Sequence, residues 1–197
     1  MKNPNRQILY GLIIIAVLNG FALFAIKWAN QSRAALDSYG SVPEFNFVER
    51  SGDAFGKQQM LGKINVLNFF FTSCRGPCPY MNSKVAELYQ KYVTSNRVRF
   101  ISISVDPDRD SLSILQEYAR NYGVNDKRWL FLRGEKAAVT KLAEEGFMLA
   151  GDLPTIHSTK LILIDVRGQI RGYYDSFNEE SLNLLTTHVR ALLKEAS

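Results

Sequence analysis

Apolar runs of strand length alternate with segments of helical periodicity along most of the chain. The runs that are typical of buried strands lie at 64–71, 98–106, 129–134 and 160–175, the last of which is divided by a turn at Arg167 and Gly168. The segments that predict helices lie at 80–95, 111–123, 135–146 and 178–196. Strands that alternate with helices in this way predict βαβ units and a largely parallel central sheet, to which the final hairpin adds an antiparallel edge.

A short hairpin is predicted before the first of these strands. Its apolar positions are Phe45 and Phe47, and its turns lie at Gly52 and Gly56. The order of the elements resembles a thioredoxin fold with this hairpin added at the N-terminus and one helix inserted. We therefore predict one α/β domain over residues 43–197, with a thioredoxin-like fold and an N-terminal β-hairpin extension.

The N-terminal residues form a separate apolar segment. Residues 8–26 carry no charge, and a helix of this length rises about 28 Å, which is enough to cross the hydrocarbon core of a membrane. A cleaved signal peptide has a shorter apolar core and a small-residue cleavage site, so we predict a single transmembrane helix that stays attached. Residues 1–7 are then cytoplasmic and 27–42 form a polar linker. The positive-inside rule places the C-terminal domain outside the cytoplasm, which in a bacterium means the periplasmic side of the inner membrane.

Composition narrows the range of functions. The chain has 197 residues, of which 46% are hydrophobic and 22% charged, and a core of that size folds without disulfides, so its two cysteines are not a structural framework. The formal net charge of +5 suits an anionic surface or an acidic partner. The sequence contains no block of five lysines or arginines, and we therefore expect no nucleic-acid binding.

The two cysteines, Cys74 and Cys78, follow the apolar run 64–71 directly and are separated by three residues. Pro79 suits the first turn of a helix, so the pair is predicted to lie where a strand enters a helix. The helix N-terminus stabilises a thiolate, and Arg75 adds a positive charge, so we expect a thiol pKa below the usual value of about 8.5. Two thiolates that converge on one point can form either a disulfide or a site for a soft metal ion.

The histidines decide which metal such a site would take. Cu(I) is a soft ion that accepts two thiolates with an imidazole as third ligand, whereas structural zinc requires a fourth ligand. His157 precedes a buried strand, in the loop that faces the cysteine turn of a thioredoxin-like fold, so it can reach both sulfurs; the alternative is a loop histidine bound to nearby backbone. His188 is predicted to lie at the edge of the packing between the last helix and the sheet.

Over residues 43–195 the sequence resembles the SCO/SenC proteins, which are membrane-anchored, thioredoxin-like and copper-binding. The motifs that carry this resemblance are Phe71-Thr72 before Cys74, Cys78 and Pro79, then Ser104 to Pro107 with Asp110 and Ser111, and then His157-Ser158 with Gly168. The resemblance implies a chaperone that assembles the copper centre of cytochrome c oxidase. It implies Cys74, Cys78 and His157 as ligands of Cu(I) and also of Cu(II). The implied partner is the copper-bearing oxidase subunit or another periplasmic thiol or copper protein.

Two positions depart from the family pattern. Arg75-Gly76-Pro77 stands between the cysteines, where family members commonly carry an acidic residue, and Ile156 stands where an aspartate often precedes the histidine. A nearby cation disfavours a bound cation and favours a thiolate nucleophile. A membrane-anchored thiol–disulfide reductase, which would use Cys74 and Cys78 catalytically through a mixed disulfide, is therefore the main alternative to the chaperone. The dithiol spacing argues against a third function, a peroxidase.

The segment 104–111 has two interpretations. Asp106 and Pro107 end a strand, and Asp110 or Ser111 can cap the following helix. Alternatively, the segment is a loop beside the cysteines that meets the partner, with acidic side chains that offset the nearby arginines.

Overall fold

The computed structural model describes residues 13–24, 36–149 and 158–195, which belong to two compact units that divide between Leu36 and Asp37. In the first unit, residues 13–24 form a helix (α1) whose apolar side chains are exposed. Among the described helices, none has the length and the apolar character needed to span a membrane. Part of the predicted anchor, 8–26, lies outside the described residues, so the anchor stays a prediction.

The second unit contains seven strands and five α-helices within its described residues. The strands are β1 (Asn46–Glu49), β2 (Ala54–Gly56), β3 (Ile64–Phe70), β4 (Val98–Ser104), β5 (Trp129–Arg133), β6 (Lys160–Ile164) and β7 (Ile170–Asp175). The helices are α2 (Lys57–Met60), α3 (Pro77–Lys91), α4 (Leu112–Asn121), α5 (Lys136–Lys141) and α6 (Glu179–Glu195), and α5 continues as a π-helical turn, Leu142–Gly146. The predicted order of strands and helices is confirmed, including the N-terminal hairpin. The helix predicted at 80–95 begins three residues earlier, at Pro77.

The sheet has the order β2-β1-β5-β4-β3-β6-β7. The pairs β3–β4 and β4–β5 are parallel, whereas β1–β2, β1–β5, β3–β6 and β6–β7 are antiparallel. The three central strands are therefore parallel and the final hairpin β6–β7 adds an antiparallel edge, as predicted, while the N-terminal hairpin makes the other edge antiparallel as well. A parallel neighbour requires a crossover that returns the chain to the opposite edge of the sheet. β6 instead starts at the edge of the sheet where β3, β4 and β5 end, and it therefore runs antiparallel to β3.

The chain joins this domain before Pro43. The amide of Tyr39 donates to the carbonyl of Ile170 (2.9 Å), and that of Val42 donates to the carbonyl of Gly168 (2.9 Å). Val42 is fully buried. The second compact unit accordingly begins at Asp37, within the segment 27–42 that the sequence pattern assigns to a linker.

Side chains of β3 alternate between the two faces of the sheet. Leu67 and Phe69 join an apolar cluster that includes Val139 of α5. Asn68 and Phe70 point to the other face, where Asn68 contacts α3 and Phe70 contacts α4. The second face is the one on which the cysteine-bearing helix lies.

Candidate dithiol and metal site

The cysteine turn lies at the edge of the sheet where the parallel strands end. β3 ends at Phe70 and β4 ends at Ser104, side by side in the ladder. The next element after β3 is the turn that contains Cys74, and Cys78 lies in the first helical turn of α3. In open α/β sheets, ligands bind outside the carboxyl ends of the strands, so the position suits a functional site.

The turn itself is held by few backbone hydrogen bonds. The amide of Cys74 donates to the carbonyl of Phe71 (3.3 Å). Gly76 precedes the helix without a side-chain cap, and Pro77 occupies the first helical position, where its missing N–H costs no hydrogen bond. Both thiols are reduced and buried, with Cys74 7% and Cys78 4% exposed.

Burial dominates the chemistry of Cys78. Burial and a hydrogen bond with the Cys74 side chain raise the pKa of the Cys78 thiol to about 12, while backbone N–H groups of Phe71 and of Cys78 itself oppose this rise. The prediction of an unusually acidic thiol is therefore wrong for Cys78, because desolvation outweighs the helix N-terminus. Arg75 is exposed and is not among the groups that shift this pKa.

His157, the predicted third ligand, lies outside the described residues. The structure describes the chain again from Ser158, immediately before β6. The amide of Ser176 donates a hydrogen bond to the carbonyl of Thr159 (2.9 Å), which fixes the start of β6 beside the end of β7. The residue that follows His157 is thus placed at the same sheet edge as the cysteine turn. Within 13–24, 36–149 and 158–195, no group of three or more His, Cys, Asp and Glu side chains is arranged to hold a metal ion.

Asp110 supports the cysteine turn, whereas the sequence pattern indicated this residue only as a possible helix cap within a loop beside the cysteines. Its buried carboxylate accepts the backbone amide of Thr72 (3.1 Å), the Thr72 hydroxyl and the Ser104 hydroxyl. It therefore ties the loop after β4 to a position two residues before Cys74. The cap of α4 is Ser111 instead, whose hydroxyl accepts the amide of Ile114 (3.3 Å).

The segment 104–111 combines the helix cap of the first interpretation with the position beside the cysteines of the second, and its contact with a partner stays a prediction. Ser111 caps the helix, while Asp110 brings the loop to the cysteine turn. Among the residues that the structure describes, the offset of an arginine is found within the loop itself, where Asp106 pairs with Arg109 (3.1 Å).

A chain of buried hydrogen bonds links the sheet to α3 and α4. The Trp129 indole donates to the Ser102 hydroxyl (2.9 Å), which in turn donates to Asn68 Oδ1 (2.7 Å). The Asn68 amide donates to Asn82 Oδ1 (2.9 Å), and the Asn82 amide donates to the Tyr118 hydroxyl (3.0 Å). We call these five residues the polar network. Its members satisfy one another, as buried polar groups must.

The polar network reaches the candidate site at its Tyr118 end. Asn82 lies one helical turn after Cys78 in α3. Burial raises the pKa of the Tyr118 phenol, and the charge of the Cys78 sulfur adds to that rise. Polar residues inside the apolar runs, Asn68 in 64–71 and Ser102 in 98–106, were the sequence features that could have revealed the network.

His188 lies in the packing between the last helix and the sheet, as predicted. Its Nδ1 forms a hydrogen bond with the Tyr174 hydroxyl (2.6 Å), which joins α6 to β7. Burial lowers the pKa of His188. The histidine therefore belongs to the packing between the last helix and the sheet.

The fold and the site together define a thioredoxin-like protein with a buried pair of thiols at a strand-to-helix turn. The SCO1/SenC family model matches residues 34–194, and the chain belongs to this family. The match covers all the strands of the sheet.

Known proteins of similar sequence or structure are consistent with this assignment. The SCO1 protein homolog of Bacillus subtilis is 26% identical over 157 residues, which cover 76% of this chain and 81% of the relative. The structure of BsSco, a member of the Sco family of cytochrome c oxidase assembly proteins with a disulfide switch, has a TM-score of 0.71 at 25% identity and covers 81% of this chain and 98% of that chain. Copper is bound in the structure of Arabidopsis thaliana ScoI, which shares the fold with a TM-score of 0.64 at 20% identity and covers 75% of this chain and 97% of that chain.

Proposed function

We propose that this chain is a metallochaperone that delivers copper to the copper centre of cytochrome c oxidase and assists its assembly. Membership of the SCO1/SenC family supports this function, as do the copper-bound structures within the Sco family. The observation that carries it is the pair of buried thiols, Cys74 and Cys78, which contact each other at the strand-to-helix turn. Two thiolates that converge on one point are the ligands that a soft ion such as Cu(I) prefers.

Cys74, Cys78 and His157 are the proposed ligands of the copper cargo. The two thiols lose one proton each when Cu(I) binds, and their contact lets both sulfurs reach one ion. His157 adds a neutral imidazole from the segment before β6. Imidazole suits Cu(II) better than a thiolate pair alone does, so this ligand extends the site to the oxidised ion. Release to the acceptor proceeds by exchange of these ligands for those of the partner.

The alternative is a thiol–disulfide reductase that acts on partner cysteines. The contact between the Cys74 and Cys78 thiols favours it, because the same two sulfurs can close a disulfide. In that reaction both thiols lose a proton and an electron, and the partner disulfide becomes two thiols. The disulfide switch of BsSco is a property of that relative which makes this candidate worth testing here.

The location follows from the N-terminal segment. Residues 8–26 anchor the chain in the inner membrane, with the second unit on the periplasmic side. The uncharged sequence supports this placement, and so do the exposed apolar side chains of α1. The full chain should then sediment with membranes, whereas a chain that begins at Asp37 should remain in the supernatant.

A copper titration tests the function. Cu(I) is titrated into the reduced full chain in detergent micelles against a chromophoric chelator. Wild type is compared with Cys74→Ser, Cys78→Ser and His157→Ala, and His188→Ala serves as the matched histidine control. Loss of either thiolate should abolish tight Cu(I) binding, while His157→Ala should weaken Cu(I) binding less than Cu(II) binding.

Two outcomes would reject the proposal. If folded cysteine variants bind Cu(I) as wild type does, the site lies elsewhere. If wild type binds no copper but its dithiol reduces a model disulfide, the reductase replaces the chaperone.

A further inference from the structure

Two exposed aromatic side chains contact each other beside the cysteine turn. Tyr80, in the first turns of α3, is 42% exposed, and Phe177, just after β7, is 50% exposed. Their ring centroids are 4.5 Å apart, with an interplanar angle of 34°. Because β7 ends beside the start of β6, Phe177 lies at the same sheet edge as the cysteines.

This aromatic pair forms a small contiguous apolar surface beside the cysteine turn. Single exposed apolar side chains are normal on soluble domains and need no explanation, whereas contiguous apolar surface rimmed by polar residues is a feature of interaction sites. Side chains of α3 also lean towards the helix N-terminus, which directs Tyr80 towards the cysteine turn. Aromatic residues and arginine are the residue types that dominate binding energy at protein interfaces.

Arg75 adds a positive charge to the surface around the cysteine turn, which we call the rim and which also contains Tyr80 and Phe177. It is exposed, and no hydrogen bond or ion pair joins its side chain to the described residues. Neighbouring cations are compensated: Lys84 pairs with Glu179 (3.2 Å), and Lys160 pairs with Asp175 (3.2 Å). The cysteine turn therefore presents one uncompensated cation next to an aromatic pair.

We infer that Arg75, Tyr80 and Phe177 form a docking surface for an acceptor protein whose own ligand-bearing loop is acidic and carries an apolar side chain. This inference rests on the proposed function, since it describes the partner of the same dithiol site. The thiols are buried, so an acceptor ligand reaches them only when the two protein surfaces are in close contact beside the cysteine turn. Arg75 guides an acidic acceptor by charge, and the aromatic pair receives its apolar side chain.

Two synthetic peptides serve as acceptor probes. Each contains a disulfide and a leucine, and they differ only in whether aspartate or lysine flanks the cysteines. The measured quantity is the rate constant of exchange with the reduced full chain in neutral detergent micelles. The protein dithiol becomes a disulfide, and the peptide disulfide becomes two thiols, so electrons and protons balance.

The surface predicts a specific pattern of rates. The acidic peptide should react about tenfold faster than the basic one at low ionic strength, and the difference should shrink in high salt. Arg75→Glu should reverse this preference. Tyr80→Ala and Phe177→Ala should each slow both peptides by about threefold while the charge preference is kept.

Exposed positions elsewhere supply matched controls. Arg120→Glu on α4 and Leu184→Ala on α6 alter an exposed charge and an exposed apolar side chain away from the rim, and they should leave both rates unchanged. An unchanged unfolding midpoint shows that each variant is folded. If Arg75→Glu leaves the charge preference intact, or if the controls act as strongly as the rim variants, the docking surface is rejected.

Copper binding separates this inference from the proposed function. Wild type that binds Cu(I) but shows no charge preference rejects the docking surface and leaves the chaperone standing. Wild type that shows the predicted rates but binds no Cu(I) supports the docking surface and rejects copper delivery.

Discussion

On the face of the sheet that α5 covers, Leu67, Phe69 and Ile101 join a cluster of apolar side chains, whereas the face beneath α3 and α4 contains the polar network. The two faces share the same strands, and successive residues of β3 belong to one or the other. Apolar packing is non-directional and tolerates small shifts, while hydrogen bonds fix distances and angles.

The cysteine-bearing helix lies on the face with the polar network. Asn82 accepts a hydrogen bond from the sheet and donates one to Tyr118, so the first turns of α3 are held in a defined position next to Cys78. The apolar face therefore contributes to stability through burial, whereas the polar network also fixes the position of the helix that carries the thiol. Truncation of a side chain on either face tests this division of roles.

The largest effect is expected from truncation of the apolar face. Ile101→Ala removes a fully buried side chain from β4 and should lower the free energy of unfolding by about 2–5 kcal/mol. Chemical denaturation measures this loss. The alkylation rate of the thiols in the folded variant should equal that of wild type, because no hydrogen bond of the polar network is touched. A change in that rate would contradict the division of roles.

Truncation of the polar network should cost less stability but change the thiol. Asn82→Ala leaves the Asn68 amide and the Tyr118 hydroxyl without their partner and should cost about 1–3 kcal/mol. Water that enters the gap reduces the desolvation of Cys78, so its pKa should fall and its alkylation should accelerate. Each unit of lower pKa raises the thiolate fraction about tenfold at neutral pH. Ile101→Val is the control for a mild core change, and equal alkylation in all variants would make the network purely structural.

The sequence predicted the elements on both faces but not the difference between them. Apolar periodicity located every strand, and Pro79 after Cys78 placed the pair at a strand-to-helix turn. The antiparallel edge formed by β6 and β7 was predicted, whereas the order of the strands was not, because it depends on where each connecting segment returns the chain, which local patterns do not encode.

The chemistry of the site was predicted only in part. The sequence paired Cys74 with Cys78, which the structure confirms as neighbours. It assigned Cys78 an acidic thiol, because a helix N-terminus and Arg75 are visible in the sequence whereas burial by the packed sheet and helices is not. Asp110 was considered as a helix cap, and its contact with Thr72 joins loops that are far apart in sequence.

The raised pKa of Cys78 predicts how copper binding depends on pH. Because Cys78 keeps its proton up to a pKa of about 12, Cu(I) must displace that proton throughout the range from pH 6 to pH 9. The affinity should therefore fall about tenfold for each unit of lower pH from this proton alone. Titration at several pH values, corrected for the chelator, measures the slope. A plateau above pH 8 would show that the site does not desolvate the thiol.

The smallest effect is expected from His188→Ala. This variant tests whether any buried polar contact influences the thiols or only a contact close to Cys78. The histidine also lies on a helix, α6, that packs beside α3, since the Tyr92 hydroxyl donates to the carbonyl of Thr186 (3.5 Å). Its hydrogen bond with Tyr174 is separate from the polar network. His188→Ala should cost about 1 kcal/mol or less and should change neither Cu(I) affinity nor alkylation of the thiols.

The pH dependence of the free energy of unfolding identifies the contribution of His188 to stability. Burial lowers the pKa of His188 in the folded chain below its ordinary value of 6.5, so the unfolded chain binds the proton more readily. Wild type should therefore lose stability as the pH falls below about 6.5 and through the lower folded-state pKa, and His188→Ala should lack this component. Denaturation of both chains between pH 8 and pH 5 measures the difference. If His188→Ala instead weakens copper binding in the folded chain, the thiols depend on polar contacts far beyond the network that touches them.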